Sequence, residues 1–315
     1  MPRRVSALLG VAVAVAATAP AAQAGVIVWR STTSNAIMEA SDTGKQTRVV
    51  GHGSAPYISP DAKQLAYGTG ANQLTIAPLT GPAVAPRVIP GTWGGFLTWS
   101  PDSRRIGAQI GTSLVVLSAA AGGTTHTLAH VDHGWLSFSP SSLRIAFDGY
   151  NDVMRKPDLP LQTVSVAGGP KRKLQDRSPG ATGICWSSTN VIAFAVSTGG
   201  PVYTEAITPG GTGHVVARTQ YDTYPDGWSA DGSRLLIETD QPDGAHLGYV
   251  TASTGKITMV PGPRAYAFVQ GISRDGTRAL VTGKDAGGQY VAVVRLSDGK
   301  RVTLIHHAVD PSWTS

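Results

Sequence analysis

One short unit returns along nearly the whole of this chain, and its spacing restricts the fold more than any other feature. Ile58-Ser59-Pro60-Asp61 precedes Leu65-Ala66-Tyr67, and Trp99-Ser100-Pro101-Asp102 precedes Arg105-Ile106. Phe138-Ser139-Pro140-Ser141 precedes Ile145-Ala146-Phe147, and Trp186-Ser187-Ser188 precedes Ile192-Ala193-Phe194. Trp228-Ser229-Ala230-Asp231-Gly232 and Ile272-Ser273-Arg274-Asp275-Gly276 continue the series, and Trp313-Thr314-Ser315 opens one more copy. Pro fixes φ, Asp bonds back to nearby backbone and Gly tolerates positive φ, so the unit is a tight turn between two strands. From Ser59 to Thr314 the copies lie about 42 residues apart, the period of a four-stranded propeller blade.

A second set of turns gives the same count. Asp42-Thr43-Gly44, Thr80-Gly81-Pro82, Ala121-Gly122-Gly123, Ala167-Gly168-Gly169, Pro209-Gly210-Gly211, Ser253-Thr254-Gly255 and Ser297-Asp298-Gly299 each join a later strand pair. The first of these lies ahead of the first Ser-Pro-Asp unit. The N-terminus therefore carries three strands, near 26–31, 36–40 and 48–50, without their leading strand; residues 311–315 supply it from the other end. Six complete blades and one shared between the termini close a ring with no open seam. The expected fold is all-β, a seven-bladed β-propeller of four-stranded antiparallel blades in one domain over residues 25–315. Six longer blades are the competing count. Charged residues are only 15% of the chain, against roughly 25% in an average soluble protein, which excludes a charged disordered chain or a coiled coil. The single cysteine, Cys185, excludes a disulfide framework and a multi-cysteine zinc site; beside Trp186 in a leading strand it reads as a buried, inert thiol.

The Ser-Pro-Asp copies at 59–61 and 100–102 and the Asp-Gly copies at 231–232 and 275–276 resemble the TolB-like β-propeller repeat, a relative of the WD repeats found in secreted and periplasmic bacterial proteins. The resemblance covers nearly all of residues 25–315. TolB itself joins a six-bladed propeller to an N-terminal α/β domain and works in envelope complexes with a peptidoglycan-associated lipoprotein. Here Gly25 runs straight into the first strand, so the resemblance implies the repeat and not the Tol-system role. Related propellers also cap prolyl-oligopeptidase-type enzymes. The nearest sequence to a nucleophile elbow, Gly227-Trp228-Ser229-Ala230-Asp231-Gly232, has its second glycine one place too far along and lies inside a blade repeat.

The first 24 residues read as an export signal. Arg3 and Arg4 form a positive start, 8–17 is apolar, and Ala22-Gln23-Ala24 is a small-x-small cleavage pattern before Gly25. The apolar run is too short for a permanent anchor, and no later segment reaches the length of a membrane-spanning helix. The expected product is a monomer in the periplasm or outside the cell, without a transmembrane anchor. The net charge of +6 falls to +4 with Arg3 and Arg4 removed, and no basic stripe with interleaved aromatics marks a nucleic-acid site.

Function is read from the loops. In a propeller the inter-blade loops and the loops between second and third strands share one face; the two sets of turns above lie on the other. Asp61, Asp102, Asp231 and Asp275 are therefore turn formers. His52, His130, His133, His306 and His307 fall in inter-blade loops, with Asp132 and Asp310 beside them and Trp93 and Trp135 in the same loops. These four loops are consecutive around the ring only because the shared blade joins the last to the first. Two functions compete. The leading one is a binding or scaffold module for a protein, glycan or cell-envelope ligand on this loop face, with no catalytic residue. The alternative is a secreted lyase or hydrolase with a His/Asp site at the channel mouth, where neutral imidazole and carboxylate could hold a divalent metal or exchange protons. Residues 148–161 form the longest within-blade insertion, a lip over that face; Asp148, Asp152 and Asp158 in it match no standard calcium loop. The stretch 240–244 reads as a plain turn.

Overall fold

The computed structural model describes residues 25–70, 72–81, 85–131, 134–148, 161–174, 182–198, 200–262 and 266–314. They form seven four-stranded antiparallel sheets, and the described residues contain no helix. Blades 1 to 6 take their strands in sequence order; their first strands are Ser54–Ile58, Trp93–Trp99, Leu136–Phe138, Thr182–Trp186, Asp222–Trp228 and Phe268–Ile272. In the seventh sheet Ala308–Thr314 pairs with Val26–Ser31, followed by Ala36–Ser41 and Arg48–His52. The shared blade is thus formed as expected, with a C-terminal strand that starts three residues earlier than the repeat indicated. First strands touch their counterparts in neighbouring blades and ring the axis. The fourth strands face outward, and Val49, Val88, Val215 and Met259 on them are exposed.

Burial explains the strand patterns. A middle strand such as Ile192–Val196 is buried at every position, because both faces of a blade are covered by neighbouring blades. Alternate side chains of one strand then serve two interfaces. Val115 and Leu117 pack towards blade 1 with Ile76 and Trp99, while Leu114 and Val116 pack towards blade 3 with Phe138 and Ile145. One apolar cluster occupies each of the seven seams. Each fully buried Leu, Ile or Phe contributes about 1.5–3 kcal/mol.

The repeated turn owes its sequence to a hydrogen-bond set. Ser59, Ser100, Ser229 and Ser273 donate from Oγ to Asp61, Asp102, Asp231 and Asp275 at 2.5–2.7 Å. The same carboxylates accept from the amides of Lys63, Arg104, Ser233 and Thr277. Blades 3 and 4 lack the Asp and replace it by hydroxyl pairs, Ser139–Ser141 and Ser187–Thr189. The position after the Asp has positive φ: Gly232 and Gly276 occupy it in blades 5 and 6, Ala62 and Ser103 in blades 1 and 2. Ser103 Oγ in turn accepts from the Asp61 amide at 3.1 Å, which ties neighbouring turns together. Ser229 is therefore a buried turn residue, with its hydroxyl committed to Asp231.

On the opposite face, the inter-blade residues Gly53 and Val131 and the first-strand residues Trp93 and Thr223 bond to the loops between second and third strands, at Asn35, Thr112, Asn72 and Val202 respectively. These bonds place the two loop sets together, as the topology requires.

Candidate binding site in the central channel

The first strands carry a recurrent irregularity. Register shifts interrupt their pairing in blades 1, 2, 4, 5, 6 and the shared blade. In blade 5 the shift falls between Pro225 and Gly227, so Asp226 has no opposite residue; in blade 6 Gln270 stands in the same place. A bulge leaves one residue unpaired and re-aims its side chain. Asp226 and Gln270 both line a cavity of about 900 Å³ in the channel.

Two kinds of side chain shape this cavity. Tyr57, Phe96, Trp135, Tyr224 and Phe268 supply aromatic surface. Phe268 is 62% exposed and Trp135 47%, unusual for side chains of this size. Trp135 meets Phe96 edge-on at 5.7 Å between centroids. The second element is an acidic wall on blade 5, where Asp226 and Glu238 line the cavity with Asp222 and Asp240 behind them on the same two strands. Antiparallel pairing sets Asp222 opposite Asp240 and Tyr224 opposite Glu238, one bulge away from Asp226. Glu238 is buried and accepts the Val269 amide at 2.7 Å; Asp222 accepts the Val202 amide at 2.7 Å. The Oδ2 of Asp226 is inaccessible and has no hydrogen-bond partner.

Crowding these groups away from water moves their proton affinities together. Burial, then the charges of Glu238 and Asp240, push Asp226 well above the usual carboxylate range. Burial also raises Glu238, against the bond from Val269 and with the help of Asp240. Burial and the charges of Asp222, Asp240 and Glu238 push Tyr224 up to about 12. Burial and the neighbouring Asp226 raise the Cys185 thiol, consistent with an inert cysteine that lines the cavity. Two carboxyl groups so coupled resist ionising together.

A narrower crevice of about 250 Å³ opens beside the channel, where Asp310 joins Tyr57, Phe268 and Gln270, the three residues common to both spaces. Asp310 is held by Arg30 Nε at 2.8 Å.

The residues singled out in the loops have varied places. Trp135 lines the channel. Trp93 stands in the first strand of blade 2 rather than in a loop, is buried, and packs edge-on against Tyr57 at 6.2 Å. His52 and His130 are the exposed last residues of their strands. His306 ends the outer strand of blade 6, with Nδ1 3.7 Å from Asp285, and its ring meets Tyr290 edge-on. His307 is a positive-φ turn residue. Asp132 and His133 lie outside the described residues, as do Asp152 and Asp158. Among the described residues no three His, Cys, Asp or Glu side chains stand close enough to hold a metal ion.

The acidic wall escaped sequence reasoning. Asp240 ends no plain turn: it belongs to the strand Arg234–Gln241, and the turn proper begins after it. The alternation Glu238-Thr239-Asp240 in that strand, with Asp222-Thr223-Tyr224 at the start of the preceding one, is the signal that would have found it.

No family model and no curated protein matches the sequence. Solved structures match the fold. A putative TolB from Agrobacterium tumefaciens aligns over 75% of this chain and 88% of its own at 16% identity, TM-score 0.53. TolB from Acinetobacter baumannii aligns over 92% of this chain and 66% of its own at 13% identity, TM-score 0.58. An oligogalacturonate lyase solved with manganese aligns over 87% of this chain and 82% of its own at 13% identity, TM-score 0.64. A chain of a nidogen–laminin complex aligns over 92% of this chain and 98% of its own at 10% identity, TM-score 0.57. Among the described residues no helix is long and apolar enough to cross a membrane. This chain is a seven-bladed β-propeller whose seventh blade is shared between its two ends, and its fold is similar to that of the TolB structures.

Proposed function

We propose that this protein is an exported binding module that takes its ligand into the central channel from the inter-blade loop face. The observation that carries the reading is the channel cavity itself, with exposed Trp135 and Phe268 on its wall beside buried Glu238 and beside Asp226, whose Oδ2 has no hydrogen-bond partner. A concave, partly aromatic space with a few convergent polar groups is the ordinary form of a ligand site. The ligand is a protein, glycan or cell-envelope component, one group of which enters the channel while the rest lies on the rim. His52, His130, His306, His307 and Asp310 contribute to that rim. Cleavage before Gly25 releases the propeller into the periplasm or the medium.

Catalysis is the second reading. The neighbouring Asp226 and Glu238 on the cavity wall favour it, since carboxyl groups whose proton affinity is raised by burial can serve in acid–base chemistry. The likeness in fold to an oligogalacturonate lyase places a lyase among the chemistries to assay.

Glycan and peptide arrays probed with the wild type and with the double variant Trp135→Ala/Phe268→Ala test the binding reading. Ligands that bind the wild type are expected to be lost in the variant at an unchanged melting temperature, because both side chains are exposed. Full retention of every ligand by the variant would place binding elsewhere.

A further inference from the structure

We infer that the channel selects an organic cation, an alkylammonium or guanidinium group held against Asp226 and Glu238 among the channel aromatics. The inference rests on the channel being the binding site and names what that site prefers.

Four observations converge. The chain carries a net charge of +6, yet Asp222, Asp226, Glu238 and Asp240 stand together on two paired strands of one blade. No Lys or Arg among the described residues forms an ion pair with any of the four; the described ion pairs engage Glu39, Asp42, Asp102, Asp243, Asp285, Asp298 and Asp310 instead. The Asp226 Oδ2 is buried without a partner, and its side chain is placed on the cavity wall by a bulge. Buried polar atoms are nearly always bonded, so an orphaned carboxylate oxygen at a cavity calls for a donor from outside the chain. Finally, the same cavity is lined by Tyr57, Phe96, Trp135 and Phe268, whose ring faces attract cations.

The alternatives fit less well. A metal ion needs at least three converging ligands, and the described residues offer no such group. A neutral sugar would use the aromatic rings and donate hydroxyls to the carboxyl groups, but brings no positive charge to four acidic residues without a Lys or Arg partner among the described residues. An anionic group would meet carboxylates on blade 5. An alkylammonium or guanidinium group supplies several N–H donors, a positive charge and apolar stem together.

Isothermal titration of the purified protein tests the assignment, with N-acetyl-lysine methylamide as a peptide side-chain probe and spermidine as a free polyamine. The norleucine counterpart of the first probe is the uncharged control. The cations are expected to bind one to one, the control at least tenfold more weakly, and Asp226→Asn and Glu238→Gln each to lose tenfold or more for the cations only. Preference for the first probe over spermidine assigns the cation to a basic peptide, and the reverse to a free polyamine. Circular dichroism confirms that both variants are folded; they keep the side-chain shape and remove the capacity to carry a negative charge. Equal binding of the norleucine control, or unchanged cation affinity in both variants, overturns the inference. Array ligands lost in Trp135→Ala/Phe268→Ala but kept in Asp226→Asn would leave the channel reading standing and remove the cation preference alone.

Discussion

The amide of Val269, on the first strand of blade 6, donates a 2.7 Å hydrogen bond to Oε2 of Glu238, on the second strand of blade 5. One carboxylate thus both closes a seam of the ring and forms part of the channel wall. Glu238→Ala leaves the buried Val269 amide without an acceptor and is expected to cost about 1–3 kcal/mol. Glu238→Gln keeps a carbonyl oxygen there and is expected to cost much less. Urea unfolding of the two variants separates the seam from the charge; equal losses would show that the bond to Val269 does not stabilise the ring.

Asp148 is expected to make stability fall as pH rises. It is buried, its Oδ1 accepts the Trp135 amide at 3.1 Å, and burial raises its pKa from 3.8 to about 7 despite that bond. Between pH 4 and 7 the fold holds a proton that the unfolded chain has lost. Stability from this group is full below the unfolded pKa, declines across that interval by on the order of 4 kcal/mol, and levels off above it. Melting curves from pH 4 to 8 should show the decline in wild type and a shallower one in Asp148→Asn. Parallel profiles would contradict the assignment.

The repeated turn gives paired expectations of opposite sign. Burial raises the Asp102 carboxyl, but the Ser100 hydroxyl, the Arg104 amide and the charges of Arg105 and Arg104 outweigh it, so its pKa lies below the usual value. Asp102→Ala removes the acceptor for Ser100 Oγ and the Arg104 amide and should cost about 1 kcal/mol at neutral pH. That loss should shrink as pH falls through the depressed pKa, where the wild-type carboxylate is itself neutralised. In blade 3, where Ser141 occupies the place of the Asp, Ser141→Asp should stabilise by a few tenths to about 1 kcal/mol. Chemical denaturation at pH 7 measures both; a destabilising Ser141→Asp would show that the turn geometry of blade 3 differs from its siblings.

Ring closure depends on the last strand. Trp313 pairs with Ile27 and Ser312 with Val28, and Ser312 Oγ accepts the Ile58 amide of blade 1 at 3.2 Å. Deleting residues 311–315 should lower the melting temperature more than deleting an exposed loop tip of equal length, such as 120–124. Equal effects would contradict a blade shared between the termini.

The architecture was legible because it rests on local chemistry repeated many times. Ser59 and Asp61 make their turn with their own neighbours, and the recurrence of that pair counts the blades. The shared blade followed from which strand was missing, a matter of arithmetic on the turns. The site was less legible because it depends on what the ring brings together. Trp93 sits at the end of a loop in sequence, but the seam between blades 1 and 2 draws it inward against Tyr57. Asp226 follows a proline in an ordinary strand, and only the bulge at that point turns it to the channel. Glu238 follows an apolar run in its strand, and its importance appears only with Val269 from the next blade.

A crystal structure with the tightest-binding array ligand tests the channel most directly. Density is expected between Trp135, Phe268 and the blade 5 wall, with a ligand donor facing the Asp226 and Glu238 carboxyl groups. A ligand seated instead on the outer strands or on the Ser-Pro-Asp turn face, with the channel unoccupied, would contradict the channel as the binding site.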